Sequence, residues 1–355
     1  MADPVLSRKT RKKAIKEMED GPELDVLVVG GGVTGAGIAL DAATRGLRVG
    51  IVEAQDWASG TSSRSSKLVH GGLRYLYQLD FPLVAEALRE RGLLLEQNAP
   101  HLVKAQPLLW PLKTPVIERT YSAVGVGMYD AMAQWAHRGA VPIQRHHTKK
   151  GSLKLCPALS PDALTGSIVY YDGRVDDARL VITLVRTAVR YGALAASRVQ
   201  IVGVERDQYG KVKGAVLLDL EHDREFRVRT KRIIVATGVW TEQTEGLASG
   251  EEGLKVLASK GIHIVVPKSA IDSEVGLFLR TEKSVLFIIP WKYYWLIGTT
   301  DTAYHQDLRD PVADEADIDY LIEHANKVLK DKLTREDVIG TFAGLRPLLQ
   351  PAKVE

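Results

Sequence analysis

The chain has 355 residues, 45% hydrophobic and 26% charged, a length and balance that can bury a sizeable core and suit two structural domains. Its single cysteine, Cys156, excludes a disulfide framework and a thiolate metal cluster, and reads as a small buried apolar residue. No run of about eighteen apolar residues offers a membrane-spanning helix, and no signal-peptide core is read near Met1.

The net charge of +3 is uneven, because residues 1–16 hold Arg8, Lys9, Arg11, Lys12, Lys13 and Lys16 against Asp3, leaving −2 for the remainder. This basic N-terminal arm, residues 1–23, has two readings. It could rest on anionic lipid head groups, each cation there being worth about 1 kcal/mol, or be a solvated, frayed terminus. Nucleic acid is a poor partner, since nothing aromatic interleaves the charges, and Glu17, Glu19 and Asp20 argue against a mitochondrial presequence.

An apolar strand, Val26-Leu27-Val28-Val29, then runs into Gly30-Gly31-Gly32-Val33-Thr34-Gly35, and a second strand over residues 49–52 ends on Glu53. Gly30 permits a tight turn, Gly32 lets backbone approach a pyrophosphate, Gly35 lets the following helix pack on the strand, and Glu53 suits a ribose. This βαβ pattern leaves NAD and FAD both open. A hydroxyl-rich, glycine-punctuated loop follows over residues 60–75. Residues 83–98 read as an amphipathic helix with Val84, Ala87, Leu88 and Leu95 on one face. Pro107, Pro111 and Pro115 break the next stretch into short extended pieces before a helix over 116–137. Residues 176–191 form the clearest helix, stopped by Gly192. Residues 199–205 and 211–218 alternate as a hairpin around Gln208-Tyr209-Gly210. Residues 232–235 are a fully buried strand type leading to Ala236-Thr237-Gly238 beside the nucleotide; residues 260–297 read as an antiparallel sheet, and 314–329 as a helix. The nine histidines are scattered, and nothing resembles a metal site.

The loop Gly60-Thr61-Ser62-Ser63-Arg64-Ser65-Ser66-Lys67-Leu68-Val69-His70-Gly71-Gly72-Leu73-Arg74-Tyr75 resembles that of the FAD-dependent (aerobic) glycerol-3-phosphate dehydrogenases. The likeness continues through Val175-Asp176-Asp177-Ala178-Arg179-Leu180, Ala236-Thr237-Gly238-Val239-Trp240, residues 260–267, Ile289-Pro290-Trp291, Gly298-Thr299-Thr300-Asp301 and Ala343-Gly344-Leu345-Arg346-Pro347-Leu348. It covers nearly everything after the first twenty or so residues. It implies an α/β fold with an α+β cap: a Rossmann-like FAD-binding domain carrying an inserted antiparallel-sheet substrate domain, similar to D-amino-acid oxidase. The FAD domain is expected over 24–85, 168–245 and 334–355, and the cap over 86–167 and 246–333.

The implied reaction oxidises the C2 hydroxyl of sn-glycerol 3-phosphate to the ketone of dihydroxyacetone phosphate, with a hydride passing to flavin N5. His70 is the expected base, because imidazole titrates near neutral pH, and His263 is its rival or a substrate partner. Arg74 and Arg346 are the expected phosphate clamps, since a guanidinium offers paired donors. Tyr75 and Lys260 are further substrate contacts, the first as a hydroxyl to the phosphate and the second as an ammonium near the flavin, with a solvated charge at a strand start the other reading of Lys260. Gly30, Gly31, Gly32, Gly35 and Glu53 are expected to hold the pyrophosphate and ribose. Thr61, Ser62, Ser63, Ser66, Lys67 and Leu68 match the family's loop under the pyrophosphate and isoalloxazine. Val199 is expected at the adenine through its backbone, and Gly238 beside the nucleotide.

Family members continue into a Gly-Gly-Lys-x-Thr-Thr-Tyr segment at the flavin and then a helical C-terminal domain, so residues 1–355 read as a fragment lacking both. The resemblance implies a quinone as electron acceptor and a cytoplasmic location, peripheral on the inner face of the membrane. A homo-oligomer is a further partner reading. An oxidase using dioxygen shares every motif quoted; an inactive flavin- or partner-binding fragment is the alternative from another class. An NAD-dependent dehydrogenase rests on the glycine turn alone.

Overall fold

The computed structural model describes residues 4–76, 79–114, 117–136, 140–249, 254–281 and 285–350, and among these the strands form three sheets. The first sheet is parallel, in the order Ile233–Val235, Val26–Val29, Val49–Glu53, Leu194–Ser197. Successive side chains of the first strand point to opposite faces. Val26 and Val28 therefore pack under the helices Val33–Thr44 and Asp177–Arg190 through Ala36, Ala39, Val181 and Val185. Leu27 and Val29 instead meet Ile15 and Met18 of the helix Arg8–Asp20. Covered on both faces, this strand is apolar at every position.

That N-terminal helix corrects the frayed-terminus reading of the basic arm. Ser7 caps it in a reciprocal pair with Thr10. Ala14, Ile15 and Met18 are buried, and the Arg11 guanidinium reaches Asp219 at 2.5 Å and the Ser197 carbonyl at 2.7 Å. Residues 233–235 also differ from expectation, being only half-buried, because their strand lies at the edge of the sheet.

The second sheet is an antiparallel meander of Val199–Arg206, Val212–Asp219 and Arg224–Arg229, which closes the side of the core holding Met18 and Leu27. The third has ten strands. Its main path runs Thr302–Tyr304, Val256–Pro267, Tyr294–Gly298, Val285–Trp291, Gly276–Arg280, Lys104–Leu112, Gly166–Arg174, Leu68–Val69, and it is almost wholly antiparallel. Pro107 and Pro111 do not break it: Lys104–Leu112 is continuous and pairs along its length with Gly166–Arg174. The two prolines are four residues apart, so their missing donors share one phase of the ladder and one side of the strand.

Ile262, Ile264 and Val266 of Val256–Pro267 are covered by Leu321, Ile322 and Ala325 of the helix Glu315–Asn326. On its edge the same strand carries Gly340–Leu349 in an antiparallel register from Val265↔Gly340 to Val256↔Leu349. The final strand thus hydrogen-bonds into the large sheet. Among the described residues, no helix is long and apolar enough to cross a membrane.

Candidate active site

The glycine turn leaves the first strand with Gly30 at φ +116°, where a Cβ would stand 2.3 Å from the Ala236 carbonyl oxygen. One at Gly35 would stand 1.9 Å from the Gly30 carbonyl oxygen, so helix and turn are as close as backbones pack. Gly32 starts the helix without a side-chain cap, and the Val33 amide donates to Ser62 Oγ at 2.9 Å. Glu53 accepts from the Gly31 and Gln55 amides, both at 2.7 Å; burial raises its pKa. Gly238, at φ +57°, follows the edge strand that runs beside the turn. The Val199 side chain is buried in the core, leaving only its backbone for a ligand.

Residues 61–68 form the bridge from this turn to the large sheet. Thr61 Oγ1 donates to the Leu345 carbonyl at 2.6 Å, and Ser66 Oγ bonds His263 Nε2 at 2.9 Å. Ser63 closes a short 3-10 turn, and Leu68 pairs with Arg174. Lys67, at φ +59°, sends its ammonium to the Ser63 carbonyl at 2.5 Å and to Asp177 at 2.6 Å. Asp177 also takes the Ser65 hydroxyl at 2.7 Å and the Ser65 amide at 3.2 Å.

His263 is buried and stacked on Phe342, with ring centroids 4.7 Å apart and planes 8° from parallel. Burial, reinforced by the Arg346 and Lys67 charges, pushes its pKa down to about 3, so the ring is neutral near pH 7. Its Nδ1 is buried with no partner among the described residues. Arg346 lies on the neighbouring strand, donating to Thr299 Oγ1 and the Thr300 carbonyl, each at 3.1 Å, and standing 3.4 Å from Asp301. The Thr300 hydroxyl accepts from the Ile262 amide at 3.1 Å, and Ser259 Oγ bonds Asp301. A glycine turn, a hydroxyl loop, a neutral imidazole and an arginine therefore meet along one seam.

The family model for FAD dependent oxidoreductases (DAO) matches residues 25–354. The chain belongs to this family. It is 51% identical over 327 residues to glycerol-3-phosphate dehydrogenase 2 of Mycobacterium tuberculosis, covering 92% of this chain and 55% of that protein. It is 38% identical over 352 residues to the alpha-glycerophosphate oxidase of Streptococcus pneumoniae, covering 97% and 57%. The X-ray structure of glycerol-3-phosphate dehydrogenase from Bacillus halodurans complexed with FAD superposes with a TM-score of 0.77 at 34% identity, covering 96% of this chain and 60% of that one. The chain thus spans little more than half the length of the curated relatives it matches.

The residues present fit the FAD of this oxidoreductase family. A side chain at Gly30 or Gly35 would fill or distort the turn, the helix start is uncapped by its own side chains, and Glu53 stands at its edge. Lys260 does not join the seam. Strand alternation turns it to the same face as Ile262 and Ile264, where its ammonium is held by Asp317 at 2.6 Å and Asp314 at 2.9 Å. The expected contact of Lys260 with flavin or substrate is therefore corrected: it is a buried tie to the helix Glu315–Asn326. His70 is exposed at the end of Leu68–Val69. Arg74 lies on the short helix Leu73–Leu76, and its side chain falls outside the described residues. The Tyr75 ring lies over Gly72 and packs beside the cluster of Leu73, Val84 and Leu88.

Sequence reasoning assigned no role to Asp177, Phe342, Thr299 or Asp301. Three of these stood inside motif blocks, but which partner each would meet depends on the pairing of distant strands.

Proposed function

We propose that this chain binds FAD and oxidises sn-glycerol 3-phosphate to dihydroxyacetone phosphate. When bound, FAD supplies the acceptor for the hydride leaving C2. His70 takes the C2 hydroxyl proton, a role suited to an exposed imidazole on the loop that follows the cofactor turn. Arg346 and Arg74 clamp the phosphate. His263 stays neutral and holds Ser66, keeping the loop against the substrate side. The observation that carries the reading is the seam itself: Thr61 and Ser66 tie the nucleotide loop directly to the strand and histidine beside Arg346.

Electrons leave to a membrane quinone at the cytoplasmic face. The exposed cations Arg8, Lys9, Lys12, Lys13 and Lys16 support attachment to an anionic surface, at about 1 kcal/mol each; Arg11 is buried in its ion pair and is not among them. The oxidase reading is favoured by the likeness to a protein named alpha-glycerophosphate oxidase, and a stoichiometric yield of peroxide in aerated buffer would select it. The test of the main reading is the visible spectrum of the FAD-loaded chain without oxygen. Addition of sn-glycerol 3-phosphate should bleach the oxidised-flavin bands. A bound flavin that stays yellow refutes the substrate or site, and a chain that takes up no flavin refutes activity of residues 1–355.

A further inference from the structure

Behind the turn that carries His70 lies a polar cluster that the reaction as proposed does not use. Arg91, Tyr129 and Asp172 come from the helix Phe81–Leu93, the helix Ile117–Ala136 and the strand Gly166–Arg174, and all three are buried. Arg91 Nη1 stands 2.6 Å from Asp172 Oδ1 and donates to the Tyr171 carbonyl at 2.9 Å. The Tyr129 hydroxyl donates to Asp172 Oδ1 at 2.7 Å and accepts the Gly71 amide, also at 2.7 Å. That amide lies 3.4 Å from Asp172 Oδ1 as well.

Two distant elements thus meet at one backbone N–H, and the third holds their side chains there through Arg91. Residue 71 has no room for anything but glycine, since a Cβ would stand 2.3 Å from Leu88 and 2.6 Å from the Tyr129 hydroxyl. A buried ion pair is a poor source of stability, because desolvating both charges offsets their attraction. Its effect here is directional. The pair fixes the tyrosine hydroxyl, and the hydroxyl fixes the peptide that follows His70.

We propose that Arg91, Asp172 and Tyr129 are positioning residues that hold the His70-Gly71-Gly72 turn through the Gly71 amide, and thereby aim the His70 imidazole. The catalytic half of this inference rests on the base role proposed for His70; the tether itself does not. Hydrogen exchange tests the tether without any turnover. In the 355-residue chain the Gly71 amide should be protected, and Tyr129→Phe should speed its exchange at least about tenfold while the amides of Val26–Val29 keep their rates. Unchanged exchange at Gly71 overturns the proposal. Should Tyr129→Phe fail to fold, Arg91→Lys serves: an ammonium can face Asp172 but loses the planar fork, and Gly71 should again exchange faster.

The aiming role is read in a double-mutant cycle on anaerobic flavin reduction by sn-glycerol 3-phosphate. Tyr129→Phe should slow reduction about tenfold without changing the half-saturating substrate concentration, and the double variant with His70→Ala should be no slower than His70→Ala alone. Losses that multiply would show that the tyrosine acts by another route and overturn the aiming role. A His70→Ala chain that reduces flavin at the full rate would refute the base assignment; the exchange result at Gly71 would then still decide the tether.

Discussion

His263 shows how much one side chain's surroundings decide. Buried against Phe342 and facing two cations, it stays neutral down to about pH 3, whereas in the unfolded chain it protonates near its ordinary value of 6.5. The unfolded state therefore binds more protons between these values. The stabilising contribution is fully present above pH 6.5 and is lost as pH falls toward 3, with a slope approaching 1.4 kcal/mol per pH unit. A series of denaturation midpoints from pH 7 to pH 4 should flatten in His263→Gln relative to the parent. An equal slope would mean that water reaches the ring. At the same scale, if Arg346 clamps the phosphate as proposed, Arg346→Ala should remove charge-assisted bonds worth about 1.5–3 kcal/mol, an increase of roughly 10- to 150-fold in half-saturating substrate. A half-saturation that does not move would locate the phosphate elsewhere. Both residues were visible in sequence as members of motif blocks. Lys260 was misplaced because strand parity was not applied: it shares its phase with Ile262, Ile264 and Val266, a core-facing set, while His263 lies on the other phase.

At the scale of elements, periodicity was legible and partnership was not. The helix Asp177–Arg190 follows from apolar spacing and from the stop at Gly192, which takes φ +101°, whereas Asp176, read as part of the helix, is its cap. The hairpin at Gly210 follows from its turn residues. The docking of Arg8–Asp20 was hidden because its run of cations outweighs four buried residues, one of them Arg11. Likewise Pro107 and Pro111 read as breakers because no local signal reveals the long strand opposite them. The loop of residues 60–68 carries the sharpest element-scale prediction. Asp177, at the first turn of its helix, takes Ser65 and Lys67 together. Asp177→Asn keeps the shape but releases the ammonium, and should weaken FAD binding about tenfold, measured by quenching of flavin fluorescence. Asp177→Glu should recover part of the loss. Unaltered FAD affinity in Asp177→Asn would mean that the loop keeps its path without this anchor.

For the whole molecule, the question is whether the nucleotide sheet and the large sheet behave as one cooperative unit. Their hydrophobic cores are separate clusters, and the loop between them is held by Thr61 on the Leu345 carbonyl, Ser66 on His263 and a longer contact of 3.4 Å from Arg64 to the Ala343 carbonyl. Each such bond contributes about 0.5–1.5 kcal/mol, small beside the burial within either layer. FAD held as proposed, by the glycine turn on one side and the loop on the other, would add to the link. At a hundredfold excess over its dissociation constant it contributes about 2.7 kcal/mol, which for a chain of this length raises the melting temperature by roughly 4 °C. With the loop bonds intact, that gain should appear as the shift of a single calorimetric transition. Removing two of the ties in a Thr61→Val, Ser66→Ala double variant should separate the transition into two. FAD would then move only the step that melts the sheet of Val26–Val29. One unsplit transition in the double variant, moved by FAD as in the parent, would show that the apolar packing between the layers, and not the hydroxyl loop, joins them.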